Sequence, residues 1–200
     1  MEFDLTGEHS RYAYKLLAGL VTPRPIAWIT TLNEDGSVNA APFSFFNVLG
    51  TNPPILGFAP GNKERGIPKD TARNIRRTGE FVVNLVDEAC AERMNLTSSE
   101  VAEGVSEIDL AKLTTEPSLS IAPPRIAEAP VALECREWST LEIGKNRLVI
   151  GLIDRVFTRE GVLDPETLLV NPDVFAPIGR MEVPSGYCRT GDRFQMPRPQ

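Results

Sequence analysis

Residues 39–47, NAAPFSFFN, combine small side chains, a proline and two asparagines in a run otherwise patterned like a strand. Small residues in a strand let something flat approach the backbone closely. Ala40, Ala41 and Ser44 stand where bulky side chains would block that approach. Pro42 removes one ladder donor and implies a sheet edge or a bulge. Backbone N–H and C=O groups on such an edge are free to meet a ligand. An edge poor in ladder bonds also resists aggregation, and the stretch by itself admits both explanations.

A second stretch adds charge. Residues 61–77, GNKERGIPKDTARNIRR, hold six Lys or Arg against Glu64 and Asp70, in a chain whose formal net charge is −6. The cluster runs from a Gly-containing loop into a predicted helix start, where free N–H groups and the helix dipole favour an anion, phosphate above all. Thr71 offers a hydroxyl donor. Asp70, as candidate N-cap, would instead occupy donors and repel a phosphate, or bind a sugar-like hydroxyl or a nearby lysine. A solvated basic loop is the plain alternative.

Catalytic side chains are scarce. The one histidine, His9, lies on a predicted N-terminal helix and reads as a packing or surface residue. Cys90, Cys135 and Cys188 are far apart, form no C-x-x-C, and fit reduced packing thiols better than a disulfide framework or a zinc site. The acidic balance argues against a nucleic-acid or anionic-membrane binder. Glu2, Asp4 and Glu8 interrupt any signal-peptide pattern, and the longest apolar runs are too short to span a bilayer. The chain reads as cytoplasmic and soluble.

The elements that must position these residues follow from periodicity. Residues 8–20 have helical spacing through Tyr12, Leu16, Leu17 and Leu20. PIAWITTL reads as a strand, NEDG as a turn, SVNAAPFSFFNVL as a second strand and PPILGFAP as a third. KDTARNIRRTG predicts a short helix capped by Asp70 and stopped by Gly79, and EFVVNLV a strand. Residues 87–113 predict one or two irregular helices, with the acid-rich 98–109 as a solvated face. VALECREWSTLEIG and RLVIGLIDRVFTR predict a hairpin of long strands around a Lys-Asn turn. Trp28 and Trp138 read as core fillers. Residues 171–200 predict an extended surface segment. Helices do not alternate with strands and G-x-G-x-x-G is absent, which excludes a doubly wound dinucleotide fold. The pattern predicts a mainly β chain with α additions: one domain over 1–200, its core about 12–180, built as an antiparallel barrel.

Taken together, TPRPIAWITT, NAAPFSFFN with NPPILGF, KDTARNI before EFVVNLV, and GRMEVPSGYCRT resemble the flavin reductase-like, FMN-binding split-barrel family. The resemblance runs over about residues 12–195. It implies a six-stranded antiparallel split barrel flanked by short helices, a homodimer, and one FMN per subunit near the dimer interface. It also implies flavin reduction by NADH or NADPH, with a partner monooxygenase among the possible acceptors. Carried over by position, Arg24, Pro25, Asn39, Ala40, Ala41, Pro42, Phe43 and Ser44 look like the wall along the ring system. Asn47, Thr51 and Asn52 match the place of the ribityl chain and phosphate, although Gly50 and Thr51 stand where relatives often carry serines. Lys69, Asp70, Thr71 and Asn74 resemble the segment closing over that tail, and Gly179, Arg180 and Tyr187 the C-terminal piece beside the site.

This implication suits a chain with no obvious acid–base pair. A flavin carries its own hydride chemistry, so the protein need supply only position and electrostatics. Arg24 and Arg180 are the candidate cations facing the charge that develops on a reduced ring. A non-enzymatic FMN carrier is the competing function. A pyridoxamine-phosphate-oxidase-like enzyme matches the motif order less well, and an oligonucleotide-binding barrel conflicts with the charge.

Overall fold

The computed structural model describes residues 1–63, 66–99 and 106–199. A 3-10 turn, Ser10–Tyr12, leads into α1, Ala13–Leu20. There follow β1, Ala27–Leu32; β2, Val38–Phe43; β3, Phe46–Thr51; β4, Pro54–Phe58; α2, Asp70–Thr78; and β5, Glu80–Leu85. After a one-turn 3-10 helix, Glu88–Cys90, come α3, Ala91–Leu96, and α4, Glu107–Leu110. Two short strands, β6 (Thr115–Glu116) and β7 (Arg125–Ile126), precede the long hairpin β8 (Val131–Ile143) and β9 (Asn146–Thr158). A last hairpin joins β10, Ile178–Arg180, to β11, Tyr187–Arg189.

The main sheet has seven strands in the order β2-β1-β5-β8-β9-β4-β3, and every pairing is antiparallel. Its two edges, β2 and β3, are consecutive stretches of chain joined at Ser44 and Phe45. The sheet therefore curls back on itself. Counted as one bent strand, β2 and β3 complete the six strands of a split barrel. The predicted second strand is real but broken, because the chain must leave one edge of the sheet and enter the other.

Alternation along β1 sorts side chains into two cores. Ala27 and Ile29 face the barrel interior with Phe43, Phe58, Phe81 and Val83. Trp28 faces the outer layer with Ala40, Met94, Ile108 and Ile126. Phe58 is the hub of the interior aromatics, with centroids 5.5 Å from both Phe43 and Phe81. Gly151 on β9 makes room for that cluster, since a Cβ there would lie 2.5 Å from the Phe81 ring. α2 contributes Ile75 to the interior and ends at Gly79, whose φ of +70° suits the glycine predicted to stop it.

Several expectations need correction. The N-cap of α2 is Lys69; Asp70 is the first helical residue, and its carboxylate turns outward to cations instead of back to the backbone. The hairpin turn of β8 and β9 is Gly144-Lys145, one residue earlier than predicted, with Gly144 at φ +61°. Trp138 is 65% exposed, because the second half of β8 runs beyond the covered part of the barrel. The C-terminal segment is not simply extended: β10 and β11 pair, and Arg24 and Arg180 bridge backbone to backbone. Of the predicted acidic helix face at 98–109, residues 100–105 lie outside the described residues, as do Glu64 and Arg65 of the basic stretch.

Candidate functional site

The small strand β2 is bracketed by two polar assemblies. At its first end, Asn39 is buried and its Nδ2 donates to Thr31 Oγ1 (3.2 Å) and Thr71 Oγ1 (3.0 Å). Asn74 Nδ2 donates to the same Thr31 hydroxyl (3.1 Å) and to Asn33 Oδ1 (2.8 Å). Both amide nitrogens thus spend two N–H groups each, which fixes both amide planes. The network locks the start of α2 onto β1 and β2.

That helix start is open to an anion. Lys69 has extended backbone geometry and, among the described residues, no side chain caps the helix, while the first intrahelical bond runs from Arg73 N–H to Lys69 O. The N–H groups ahead of Arg73 have no partner within the helix. The Asp70 carboxylate accepts from Lys63 Nζ (2.6 Å) and Arg73 Nη2 (2.5 Å), so its charge is held by cations. Lys69 Nζ lies 5.6 Å from the Phe43 ring centroid, over the face of β2's last residue.

The second assembly stands at the Ser44 end, about 17 Å away at a strand rise of about 3.3 Å per residue. Arg24 is 7% exposed. Its Nη1 donates to the carbonyls of Ala18 (2.5 Å) and Val21 (2.8 Å), Nη2 to Met181 O (3.0 Å), and Nε to Ser44 Oγ (3.4 Å). It therefore caps the end of α1 and ties that helix to the β10 segment. Burial first, then the neighbouring Arg180, lower its pKa from the usual arginine value. Arg180 donates to Gly186 O (2.8 Å) and Pro184 O (2.7 Å) and stacks on Tyr187 at 4.8 Å. Gly179 permits the close approach, since a Cβ there would sit 2.7 Å from Pro23.

Between the brackets, Ala40 is buried in the outer core and Ala41 and Pro42 are half-buried, while Phe43 points into the barrel. Pro25 is exposed beside the junction. Asn47, Thr51 and Asn52 are not brought to the α2 segment. They are exposed on β3 and its hairpin tip, with Asn47 Oδ1 taking the Val48 N–H (2.8 Å), and Thr51 lies roughly 17 Å along β3 from Phe46. A cavity of about 320 Å³ lies beside the second assembly, between Ala91, Asn95, Ile178, Tyr187 and Cys188.

Thr31, Asn33 and Lys63 were not singled out from sequence. The alternation in WITTL marks Thr31 only as a strand residue, and its role appears once α2 packs on it. A further omission is Glu107, which opens the short helix α4 packed against β2. Burial raises its pKa above the usual carboxylate value; Asp70 adds to the rise, and hydrogen bonds and Lys63 oppose it.

A curled antiparallel sheet with a small-residue edge beside an open helix start defines the class of protein, and comparison gives the family. Residues 19–179 match the flavin reductase like domain, and the chain belongs to that family. NbaA, the 2-nitrobenzoate 2-nitroreductase of Pseudomonas fluorescens, is 40% identical, with a TM-score of 0.90, over 100% of this chain and 96% of NbaA. Nitrilotriacetate monooxygenase component B of Bacillus cereus is 31% identical, with a TM-score of 0.92, over 98% of both chains. An uncharacterized protein of Deinococcus radiodurans is 41% identical over 201 residues, 98% of this chain and 88% of the relative. Among the described residues no helix is long and apolar enough to cross a membrane.

Proposed function

We propose that this chain binds FMN and acts as an NAD(P)H-dependent flavin reductase, working as a homodimer with residues 1–200 as one functional domain. The observation that carries the reading is the strip from Asn39 to Ser44, with the small residues Ala41, Pro42 and Ser44 half-buried and the open start of α2 at one end. Bound FMN would supply the hydride acceptor and the onward electron donor.

The chain's own residues supply binding and orientation. Ala41 and Pro42, half-buried, leave room for a ring to approach the β2 backbone, with Ala40 buried between them and the outer layer and Phe43 stiffening the strand from the barrel side. Lys69, the Thr71 hydroxyl and the α2 N–H groups favour the phosphate. Asp70 holds Lys63 and Arg73, and Asn39 and Asn74 hold the helix in register. Arg24 and Arg180 place positive charge at the Ser44 end, where a ring gaining negative charge would be stabilised, with Pro25 beside them. Asn47, Thr51 and Asn52, exposed on β3 and its hairpin tip, act in this reading across the subunit interface.

The likeness to NbaA favours a nitroaromatic as direct acceptor. The likeness to a monooxygenase component B favours delivery of reduced flavin to a partner enzyme. Stopped-flow mixing of FMN-loaded protein with NADH and with NADPH tests the reading. Loss of flavin absorbance with either supports the reductase, and reoxidation by a nitroaromatic against release of free reduced flavin separates the acceptors. Tight FMN binding with no bleaching by either nicotinamide would leave a carrier. No FMN binding at all would end the flavin reading.

A further inference from the structure

The cavity of about 320 Å³ beside the second assembly is large enough for a small molecule, at the lower end of the usual range. Its floor is apolar: Ile178 is buried in the outer core, and Ala91 packs against the same cluster. Its wall follows from register. β10 and β11 pair as Ile178↔Arg189 and Arg180↔Tyr187, so these four side chains stand on one face of the ribbon. Tyr187, 42% exposed, presents its ring there, with the Arg180 guanidinium 4.8 Å from the centroid. Across from the ribbon, Ala91 and Asn95 lie four apart on one face of α3. The Asn95 backbone carbonyl takes the Ser98 hydroxyl (2.6 Å), while its side-chain amide has no hydrogen-bond partner among the described residues.

The rim sets the charge. Glu88 holds Arg189 through both carboxylate oxygens, one of them at 2.6 Å, and Glu92 adds a second carboxylate. Two acids against one base disfavour a nitro- or carboxyl-bearing ring, whose polar atoms only accept. They suit an aromatic base with an amino group to donate. The Asn95 amide carries a donor and an acceptor side by side, the pair that matches the N6 and N7 edge of adenine. A ring to stack on, an unpaired amide and a carboxylate rim together describe a pocket for adenine.

The cavity also lies within reach of the Ser44 end of β2. Arg24 and Arg180 exchange backbone hydrogen bonds of 3.0 and 2.8 Å, and Arg180 pairs with Tyr187. Two strand spacings of about 5 Å each therefore separate Tyr187 from Arg24. Arg24 in turn reaches Ser44 Oγ at 3.4 Å. Arg180 stands on this path. Among the described residues it spends two of its five N–H groups, on the Gly186 and Pro184 carbonyls, which leaves donors for a phosphate.

We propose that this cavity holds the adenosine end of the nicotinamide dinucleotide, with Arg180 beside the diphosphate and the nicotinamide directed to the Ser44 end of β2. This rests on the reductase reading above.

The test compares FMN-loaded wild type with Asn95→Leu, a change at an exposed position. The reductants are whichever of NADH and NADPH bleaches the flavin faster, and reduced nicotinamide mononucleotide, which has no adenosine. Asn95→Leu should raise the half-saturating concentration of the dinucleotide about tenfold, for the loss of two hydrogen bonds, and leave the limiting rate unchanged. Reduction by the mononucleotide should be the same in both proteins, which also shows that the variant is folded. In equilibrium dialysis AMP should bind the FMN-loaded wild type, and about tenfold more weakly the Asn95→Leu chain. Tyr187→Phe should keep AMP binding and Tyr187→Ala lose it. An unchanged dinucleotide requirement, equal weakening of both reductants, or AMP binding indifferent to Asn95→Leu and Tyr187→Ala overturns the proposal and leaves the reductase reading intact. Bleaching by neither reductant removes the reductase reading, and the proposal with it.

Discussion

β2 and β3 are two halves of one bent strand, similar in composition and opposite in environment. Every residue of β2 is buried or half-buried, whereas Val48 and Leu49 of β3 are 53% and 52% exposed. The difference lies in what covers them. β2 has Trp28, Met94 and Ile108 on one face and the barrel interior and α2 on the other. β3 pairs with β4 along one edge and leaves its outer residues uncovered. The apolar surface continues past β3. Leu49 and Leu148 both approach Gly57, and Leu148 is paired with Leu141, which is itself exposed, with Ile143 beyond it. An edge strand with exposed large apolar residues is a template for association. The covered half suits a ligand and the bare half suits a second copy of the chain.

The sharpest way to break this comparison is to truncate one residue on each half. Phe43→Ala on β2 should cost about 3–5 kcal/mol by denaturant unfolding, from lost burial plus a cavity. Val48→Ala on β3, measured at a dilution where the chain is monomeric, should cost less than about 0.5 kcal/mol. Equal costs would mean that β3 is covered within its own chain.

The next test concerns association. Sedimentation of the wild type at micromolar concentration is expected to give about twice the 22.0 kDa chain mass. Leu49→Lys combined with Leu141→Lys should return it to the single-chain mass, a loss of about 3 kcal/mol or more of association energy. A wild-type monomer with full flavin affinity would mean that the flavin site is not built across a subunit interface. At the ligand end of β2, Lys69→Ala should weaken FMN by about 1–3 kcal/mol and leave riboflavin nearly unchanged. Weakening of both flavins alike would move the phosphate away from α2. The smallest effect is expected at the N-terminal segment, where His9 packs edge-on to Phe3 at 5.2 Å. His9→Ala should leave the rate of flavin bleaching by NAD(P)H nearly unaltered, and that rate should vary little between about pH 6 and 8. A steep profile abolished by this substitution would reveal a histidine acid or base.

Much of the barrel was legible because its signals are local. AWITTL, PILGF and EFVVNL declare strands through β-branched and aromatic content, and the long runs of β8 and β9 declare a hairpin. α2 declares its end through Gly79. The small residues at 39–44 and the cations at 61–77 marked the two sides of the candidate site for a similarly local reason: unusual residue types in a short window.

What the sequence determined by itself is the list of elements, the family they compose and the strip of small residues that a ligand could approach. The tertiary structure decided everything that depends on a neighbour distant in the chain. It broke 38–51 in two, because one strand had to serve both edges of a curled sheet. It left Trp138 in water, because hydropathy does not say where the covering layer stops. It turned Asp70 from the helix backbone to Lys63 and Arg73, and it tied Arg24 and Arg180 into the backbone at the Ser44 end. Periodicity reports which face of an element is apolar. Only packing chooses the partner for that face, since many partners would bury it equally well.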